Sequence, residues 1–464
     1  MKSIPLRLPH DASRRPGSPT APHPSAARRL LGPASGLFVG LALMLIATLA
    51  QAALPIEHWT TSQGTRVYFV RADAIPMLDI NVDVDAGDRW DPRDRAGLAG
   101  MTAGLLARGV PGMDENAIAE RFAELGARRG SGASDDRASH SLRTLTSARE
   151  LDGALAMFER ILREPTFPAD VLGRQKEQSI QALREAQTKP DFIASRTFGS
   201  TIYPQHPYGL SASPETITAI ERDRIEAFWR SHYAANRAVV SMIGAIPRAQ
   251  AEQIAERLSR ALPRGEAAPP LPPVTLGGAG RTLRIAHPAS QSHILIGAPA
   301  IARDDPDFFP LLVGNYVLGG GGFVSRLTAE VREKRGLAYS VYSYFSPGAQ
   351  AGPFQIGLQT QKEQTDTALG VVRETLERFL RDGPTDAELK AAKDNLVGGF
   401  PLRIDSNRKI LDNLANIGWY GLPLDYLETW TRNVQKVSVA DIRAAFGRHV
   451  RPANLSTVVV GAGS

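Results

Sequence analysis

Apolar and polar residues alternate in two segments of the first half of the chain. The segments are 65–73, "TRVYFVRAD", and 78–87, "LDINVDVDAG". A period of two residues is typical of half-buried β-strands, because successive side chains of a strand point to opposite faces of the sheet. The short link 74–77, "AIPM", predicts that these two strands form a hairpin.

Longer segments repeat their apolar residues every three or four positions, which is the period of an α-helix with one buried face. Asp114 can cap the first of these helices, 115–127, in which Ile118 and Phe122 face the core. Three further segments share this period: 148–164, 365–383 and 385–400. Strands combined with long helices predict an α+β fold, in which helices cover one face of a largely antiparallel sheet.

The two halves of the chain end in a similar pattern. Residues 225–245, "IEAFWRSHYAANRAVVSMIGA", and 442–462, "IRAAFGRHVRPANLSTVVVGA", both place an isoleucine seven residues before a histidine. In both, an asparagine and a β-branched strand ending in glycine follow. This similarity predicts an internal duplication. We therefore expect two homologous domains, 53–261 and 281–464, joined by the Pro- and Gly-rich linker 262–280.

The N-terminal residues 1–52 account for most of the net charge. The 464-residue chain carries +6 in total, and residues 1–52 hold six lysines and arginines against Asp11 alone. The nearly neutral remainder does not predict nucleic-acid binding. An apolar run, 37–50, precedes the small-residue site "AQA", which predicts a signal peptide cleaved after Ala52 and export, for example to the periplasm. If it stayed uncleaved, the segment would anchor the chain to a membrane.

One predicted helix carries small residues where a catalytic group could stand. In residues 95–109, "RAGLAGMTAGLLARG", we expect Asp94 to be the N-cap and Leu98, Met101 and Leu105 to form the buried stripe. A neighbouring face then holds Gly100, Ala103 and Gly104. This is the spacing of a His-x-x-Glu-His motif, which binds zinc through two histidines and supplies a general base. Ligand and base are both missing here.

The histidines of the rest of the chain do not replace that motif. No two of the seven that follow residue 52 are three or four positions apart, so no single helix offers a pair to a metal. The chain also has no cysteine, which excludes disulfides and thiolate metal sites. We therefore predict no metal in this chain. The glycines, together with Ala107, would instead allow close approach of a neighbouring element.

The stretch "GLAGMTAG", 97–104, resembles the "GLAHxxEH" context of the pitrilysin/insulinase family of zinc metallopeptidases, which includes the mitochondrial processing peptidase and bacterial relatives. The resemblance implies a third zinc ligand, a glutamate, on a later helix, where this chain has Ala182. Glu177 and Glu185 lie within two turns of that position and could replace it in a shifted register. It also implies that two-domain members pair into a clam-shaped, four-domain chamber around a peptide.

Two further segments carry the resemblance. The turn "YPQHPYG", 203–209, matches a first-domain motif of the family. Its prolines and glycine are equally typical of a turn with a purely structural role. Residues 317–345, "VLGGGGFVSRLTAEVREKRGLAYSVYSYF", match its "LGGGxxSRLxxxLRExxGLAYS" motif, whose arginine and tyrosine contact substrate peptide. These correspond to Arg332 and Tyr339. Alternatively, Arg332 pairs with Glu330 or Glu333, and Tyr339 is an ordinary strand aromatic.

The resemblance and the missing ligands together predict a non-catalytic subunit of a heterodimeric zinc metallopeptidase. A partner of similar size with the intact motif would bring zinc, while this chain would form half of the chamber and bind peptide through Arg332 and Tyr339. A scaffold or binding protein without proteolytic role is the alternative. Neither a "GxSxG" nor a paired-carboxylate motif supports an enzyme of another kind.

Overall fold

The computed structural model describes residues 55–266 and 268–461, all of them within one compact unit. The predicted signal peptide, residues 1–52, lies outside the described residues. Among those that are described, no helix is both long and apolar enough to cross a bilayer.

Helices and strands alternate along both halves of the described chain. The helices are α1 Leu98–Leu105, α2 Glu115–Glu124, α3 Ala148–Arg163, α4 Ala169–Ala186, α5 Pro190–Ile202, α6 Pro214–Thr218, α7 Arg222–His232, α8 Arg248–Ala261, α9 Phe308–Asn315, α10 Thr365–Asp382, α11 Asp386–Gly398, α12 Asn407–Tyr420, α13 Tyr426–Lys436 and α14 Val439–His449. The strands are β1 Glu57–Thr60, β2 Arg66–Arg71, β3 Met77–Val84, β4 Gly109–Val110, β5 Met113–Asp114, β6 Arg128–Ala133, β7 Ala138–Leu145, β8 Val239–Gly244, β9 Thr282–Ala286, β10 Gln291–Ile301, β11 Ala338–Phe345, β12 Gly352–Gln361 and β13 Ser456–Gly461. Asp114 caps α2 as predicted, since its carboxylate accepts the backbone N–H of Ala117.

Each half contains one large sheet. The first has the order β1-β2-β8-β3-β7-β6 and the second the order β11-β12-β10-β13-β9. Within the described residues, the parallel pairs of these sheets are β2–β8 and β9–β13, and the other neighbours are antiparallel. The predicted α+β class with two largely antiparallel, helix-covered sheets is confirmed.

The strand orders of the two sheets correspond, which supports the internal duplication. In both, the last strand of the half, β8 or β13, lies between the first two strands of the shared pattern. The expected hairpin between β2 and β3 is therefore wrong, because β8 separates them and pairs with both. Every residue of β8 is buried, so the strand suits the middle of a sheet covered on both faces. The domain boundaries themselves remain predictions.

The two halves exchange a helix. Phe198 of α5, from the first half, packs against Leu295 and Val458 of the second sheet. Leu414 of α12, from the second half, packs against the first sheet. The expectation that helices cover a single face of each sheet is incomplete, because the second face is covered by a helix from the other half. The two halves therefore complete each other's cores.

Gly418 shows how closely α12 approaches the first sheet. A Cβ atom at this position would lie 2.7 Å from side-chain atoms of both Tyr68 and Val239. Such a distance is not tolerated in a packed core, so this helix needs a glycine where it crosses the sheet.

Candidate functional site

Helix α1 carries the positions of the missing zinc motif. Leu98, Met101 and Leu105 are buried, as the periodicity predicts. The predicted N-cap is wrong, however. Asp94 lies in a separate turn, and Gly97 is the N-cap residue. The carboxylate of Asp91 accepts the backbone N–H groups of Gly97 and Ala99 at this end of the helix. Burial raises the pKa of Asp91 to about 6, although these backbone donors lower it.

The two glycines of the motif are open to solvent. A Cβ atom at Gly100 or at Gly104 would meet nothing within 4 Å. The expectation that a neighbouring element packs against them is therefore wrong. Ala103 and Ala107 are buried in the core, so close packing holds for these two positions. The positions of the two histidines, Gly100 and Gly104, therefore carry no side chain and face open space. The position of the general base, Ala103, is part of the core.

A cavity of about 450 Å³ opens beside Gly100 and Gly104. Its other walls come from β6, from α4 and from single residues around them. The lining residues are Gly97, Gly100, Met101, Gly104, Arg108, Arg129, Ser131, Gln175, Ser179 and Ile217. Helix α4 contributes Gln175 and Ser179, whereas Ala182, the position predicted for the third zinc ligand, is exposed and does not line the cavity.

The residues around this cavity do not fit a zinc ion. Zinc in proteins is bound by imidazole, thiolate or carboxylate groups. None of the described lining residues supplies one, and Arg108 and Arg129 place two guanidinium groups there instead. A divalent cation would be repelled by these charges. The chemistry of the donor set is therefore that of an anion site.

A second candidate site lies in the other half, around Arg332. Its guanidinium carbon lies 4.6 Å from the ring centre of Phe323 and 4.6 Å from that of Tyr339. These are cation–π distances. The structure thus brings together the two residues predicted to bind substrate and adds Phe323, which the sequence did not single out.

The backbone is irregular at Arg332 and at Tyr339, and the aromatic rings of this site are exposed to solvent. Arg332 lies in a π-helical turn, Thr328–Glu333, of a type that is common at functional sites. Tyr339 lies in the edge strand β11, where the register shifts between Ala338 and Val341, as in a β-bulge. Tyr339 is 81% exposed and Phe323 is 69% exposed. Both rings are therefore accessible to a binding partner.

Of the two ion pairs expected for Arg332 as an ordinary surface residue, the structure contains the one with Glu333 and not the one with Glu330. Glu330 instead accepts hydrogen bonds from Lys334 and Arg335. These hydrogen bonds lower the pKa of Glu330 to about 2. The nearest approach of Arg332 to Glu333 is 3.8 Å, which makes a weak surface pair. Tyr339 also differs from the other strand tyrosines: Tyr342, for comparison, is 40% exposed.

The glycine-rich segment before Arg332 serves close packing. A Cβ atom at Gly319 would lie 2.4 Å from the Ser343 hydroxyl of β11. The same hydroxyl donates to the Asn315 side chain at 2.6 Å. The glycines thus let this segment lie against β11. They do not form a phosphate-binding loop, since no Gly-Lys-Ser/Thr sequence follows them.

The "YPQHPYG" turn holds the two halves and the linker together. Tyr203 donates its hydroxyl to the carbonyl of Ala351 at 2.9 Å, and Tyr208 accepts the backbone N–H of Gln350 at 3.1 Å. His206 accepts the N–H of Tyr208 on Nδ1 and contacts the carbonyl of Pro272, in the linker, through Nε2 at 3.0 Å. The turn has a structural role, as its composition suggested.

Asp136 is the buried centre of this junction. Its carboxylate accepts hydrogen bonds from Arg89 at 2.8 Å, Tyr208 at 2.5 Å, the backbone N–H of Ala349 at 2.8 Å and Tyr420 at 3.1 Å. Two donors come from each half. Sequence reasoning missed this residue, because nothing in "GSGASDD" distinguishes a buried aspartate from a solvated one.

One group of potential metal ligands occurs among the described residues: Asp305, Asp307 and His449. The oxygens of Asp307 already accept two hydrogen bonds from Arg448, at 2.6 and 2.7 Å. His449 contacts Asp307 and the carbonyl of Ala300, both at 2.9 Å. These contacts describe an ion-pair network that ties α14 to the end of β10 and the start of α9.

Comparisons with known proteins agree with this fold. A family model described as "Insulinase (Peptidase family M16)" matches residues 67–213, and one described as "Peptidase M16 inactive domain" matches residues 219–396. The non-peptidase homolog YmxG of Helicobacter pylori is 27% identical over 439 residues, which cover 92% of this chain and 96% of that protein.

Solved structures lead to the same family. The peptidase M16 inactive domain from Pseudomonas fluorescens is 37% identical, with a TM-score of 0.84, over 88% of this chain and 98% of that one. The periplasmic protease PqqL from Escherichia coli shares the fold, with a TM-score of 0.76 at 17% identity, over 89% of this chain and 46% of that one. The chain belongs to peptidase family M16, the insulinase family, as a two-domain member whose α1 lacks the zinc ligands.

Proposed function

We propose that this chain is the non-catalytic subunit of a heterodimeric zinc metallopeptidase. It forms half of a peptide-enclosing chamber. Its Arg332 and Tyr339 contact the substrate that is bound in the active site of the partner. The observation that carries the proposal is the contrast between its two sites. The zinc-motif face of α1 has no ligands, while Arg332 and Tyr339 remain together, with Arg332 partly and Tyr339 largely exposed.

The chemistry of the exposed pair suits a peptide undergoing hydrolysis. A guanidinium and a phenol are both hydrogen-bond donors, and either can donate to a peptide carbonyl. When water attacks that carbonyl, its oxygen gains negative charge, and donors already in place stabilise the charge. The rings of Phe323 and Tyr339 next to Arg332 restrict the guanidinium, which reduces the entropy lost when substrate binds.

The free edge of the first sheet offers a place for an extended peptide. Among the described residues, strand β6 is the last in its sheet and pairs only with β7. The N–H of Ser134 donates to the carbonyl of Arg137 in the turn, so the alternation of an antiparallel ladder directs the backbone N–H groups of Arg129, Ser131 and Ala133 outward. A peptide can add to these groups as a further strand.

The partner supplies what this chain lacks. We expect a chain of similar size with an intact His-x-x-Glu-His motif, which brings the zinc ion and the general base. The predicted signal peptide, residues 1–52, would place this chain outside the cytoplasm, and the partner would have to be exported as well. The periplasmic assignment in the name of one structural neighbour, PqqL, is consistent with this location.

A binding protein without proteolytic role is the second candidate. The observation that favours it is the name of the relative from H. pylori, which is called a non-peptidase homolog. A binding protein needs the exposed aromatic surface but not the donors of Arg332 and Tyr339 in register with a scissile bond. The effect of these two residues on a catalytic rate separates the two candidates.

Metal content and activity test the proposal first. The purified chain should hold no stoichiometric zinc and cleave no unfolded peptide, because the cavity of α1 offers no ligand. Co-expression with a chain that carries the intact motif should give a complex with one zinc ion and chelator-sensitive cleavage. Elemental analysis and a fluorogenic peptide assay measure both. One tightly held zinc per isolated chain, together with cleavage, would refute the assignment.

A proline at the sheet edge tests the peptide strand. Ser131→Pro removes an outward N–H but no bond of the β6–β7 ladder, so the fold should persist. Loss of one backbone hydrogen bond to substrate should raise KM by about 2- to 10-fold with little change in kcat. Ser131→Ala, which keeps the N–H, is the matched control. An assembled complex with an unchanged KM for Ser131→Pro would show that peptide does not add at this edge.

A further inference from the structure

The cavity beside α1 contains an arginine without a partner. Arg129, on β6, is half-buried and lines the cavity. Within the described residues, its guanidinium forms no ion pair and no hydrogen bond, in contrast to Arg108, which pairs with Glu115 at 2.9 Å. A guanidinium has five N–H donors, and those of Arg129 are free to bind a guest in the cavity.

The surroundings of Arg129 disfavour its positive charge. Burial and the positive charge of Arg108 both lower the pKa of Arg129. None of the described residues that line the cavity is an aspartate or a glutamate. Glu115 compensates the charge of Arg108, whereas no described carboxylate pairs with Arg129.

The remaining walls offer neutral hydrogen-bond donors. Ser131 comes from the same strand as Arg129, and Gln175 and Ser179 lie on successive turns of α4. The open positions of Gly100 and Gly104 leave the volume of about 450 Å³ free for a guest. Two guanidinium groups, two hydroxyls and an amide around one space form a set of donors suited to an anion with several acceptor oxygens.

We propose that this cavity binds a carboxylate of a peptide, which contacts Arg129 directly. A carboxylate presents two parallel acceptors that match the fork of a guanidinium. The outward N–H groups of β6 run beside the cavity, so an extended peptide on this edge would bring its own carboxylate to Arg129.

Two sources can supply the carboxylate. One is an aspartate or glutamate side chain of the peptide, and the other is its C-terminal carboxylate. The inference rests on the proposed function only in taking a peptide as the guest. It does not depend on the partner subunit, on zinc or on Arg332 and Tyr339, so its test uses the chain alone.

Three fluorescent ten-residue peptides of one extended sequence test the proposal. The first has a central Glu and an amidated C-terminus, the second a central Gln and a free C-terminus, and the third a central Gln and an amide. We expect the first or the second to bind the wild-type chain about 10- to 100-fold more tightly than the third, as measured by fluorescence anisotropy at low salt. Which of them gains affinity identifies the source of the carboxylate.

Variants assign the preference to the cavity. Arg129→Gln should abolish it, and Arg129→Lys should retain part of it, because the charge stays while the fork is lost. Arg128→Gln is the matched control, since it removes the same charge from the adjacent residue, whose side chain points to the opposite face of β6. It should keep the preference. Equal binding of all three peptides to the wild-type chain, or no binding of any, overturns the proposal, as does an unchanged preference in a folded Arg129→Gln chain.

The outcome is separable from that of the proposed function. A carboxylate preference with no effect of Arg332 or Tyr339 on cleavage would support a peptide-binding role without catalysis. Normal dependence of cleavage on those two residues with no carboxylate preference would retain the heterodimer and overturn the assignment of this cavity.

Discussion

A Tyr339→Phe substitution should lower kcat of the assembled heterodimer by about 10²- to 10³-fold, with zinc content and assembly unchanged. The phenol donates to an oxygen whose negative charge develops only as water attacks, so its loss should affect the catalytic step more than substrate binding. The substitution removes one hydroxyl and keeps the ring, which leaves the contact with Arg332 in place. It therefore tests the donor and not the surface.

Arg332→Ala should cause a similar loss, and the two losses should not add. The guanidinium of Arg332 and the ring of Tyr339 are 4.6 Å apart, so each positions the other. Residues in contact share their effects, and the double variant should be little slower than the slower single variant. Full multiplication of the two losses would indicate that the residues act independently.

Tyr342→Phe is the matched control for both variants. Tyr342 lies on the same edge strand as Tyr339 and is partly exposed, but its ring stacks on Tyr344 and not on Arg332. It should leave kcat near the wild-type value. Steady-state kinetics on a fluorogenic peptide, with zinc measured on the same samples, would decide the matter. Double variants that assemble and cleave at the wild-type rate would leave the binding-protein interpretation as the better one.

The sequence predicted the helix periods and the duplication because both depend on local patterns of apolar residues. Buried positions such as Leu98 and Met101 follow from spacing alone. The order of strands does not, because β8 enters the sheet between β2 and β3 from far along the chain. Nearness in sequence suggested a hairpin, and burial of β8 on both faces decided against it.

The sequence predicted those residues of the site that belong to a recognisable motif. It did not predict the residues that are brought to the site only by the packing of the fold. The spacing of Arg332 and Tyr339 within a long matching segment located both residues. No pattern marked Phe323 as their neighbour, and no pattern showed that Gly100 and Gly104 face a cavity. A glycine on a helix face is compatible both with close packing and with open space. Which of the two occurs depends on the element that faces the helix. Here the opposite wall includes Arg129, which belongs to another element.

The junction between the halves should be the part of the fold most sensitive to a single substitution. Asp136 is buried and its carboxylate accepts four hydrogen bonds, two from each half. Asp136→Ala removes the acceptor and leaves the buried Arg89, together with two tyrosine hydroxyls, short of a partner. Loss of one member of a buried ion pair costs about 3–5 kcal/mol of the free energy of unfolding.

Arg89 moderates that loss without removing it, because its other amino group still donates to Asp85 at 2.8 Å. Asp136→Asn should cost less than the alanine, about 1–3 kcal/mol, since the amide keeps one acceptor and most of the volume. Asp73→Ala is the control: it removes a carboxylate from an exposed pair with Arg71 and should leave the stability nearly unchanged. Denaturant unfolding of the purified chain at neutral pH gives all three values. The same stability for Asp136→Ala and Asp73→Ala would mean that the exchange of α5 and α12, and not this carboxylate, holds the halves together.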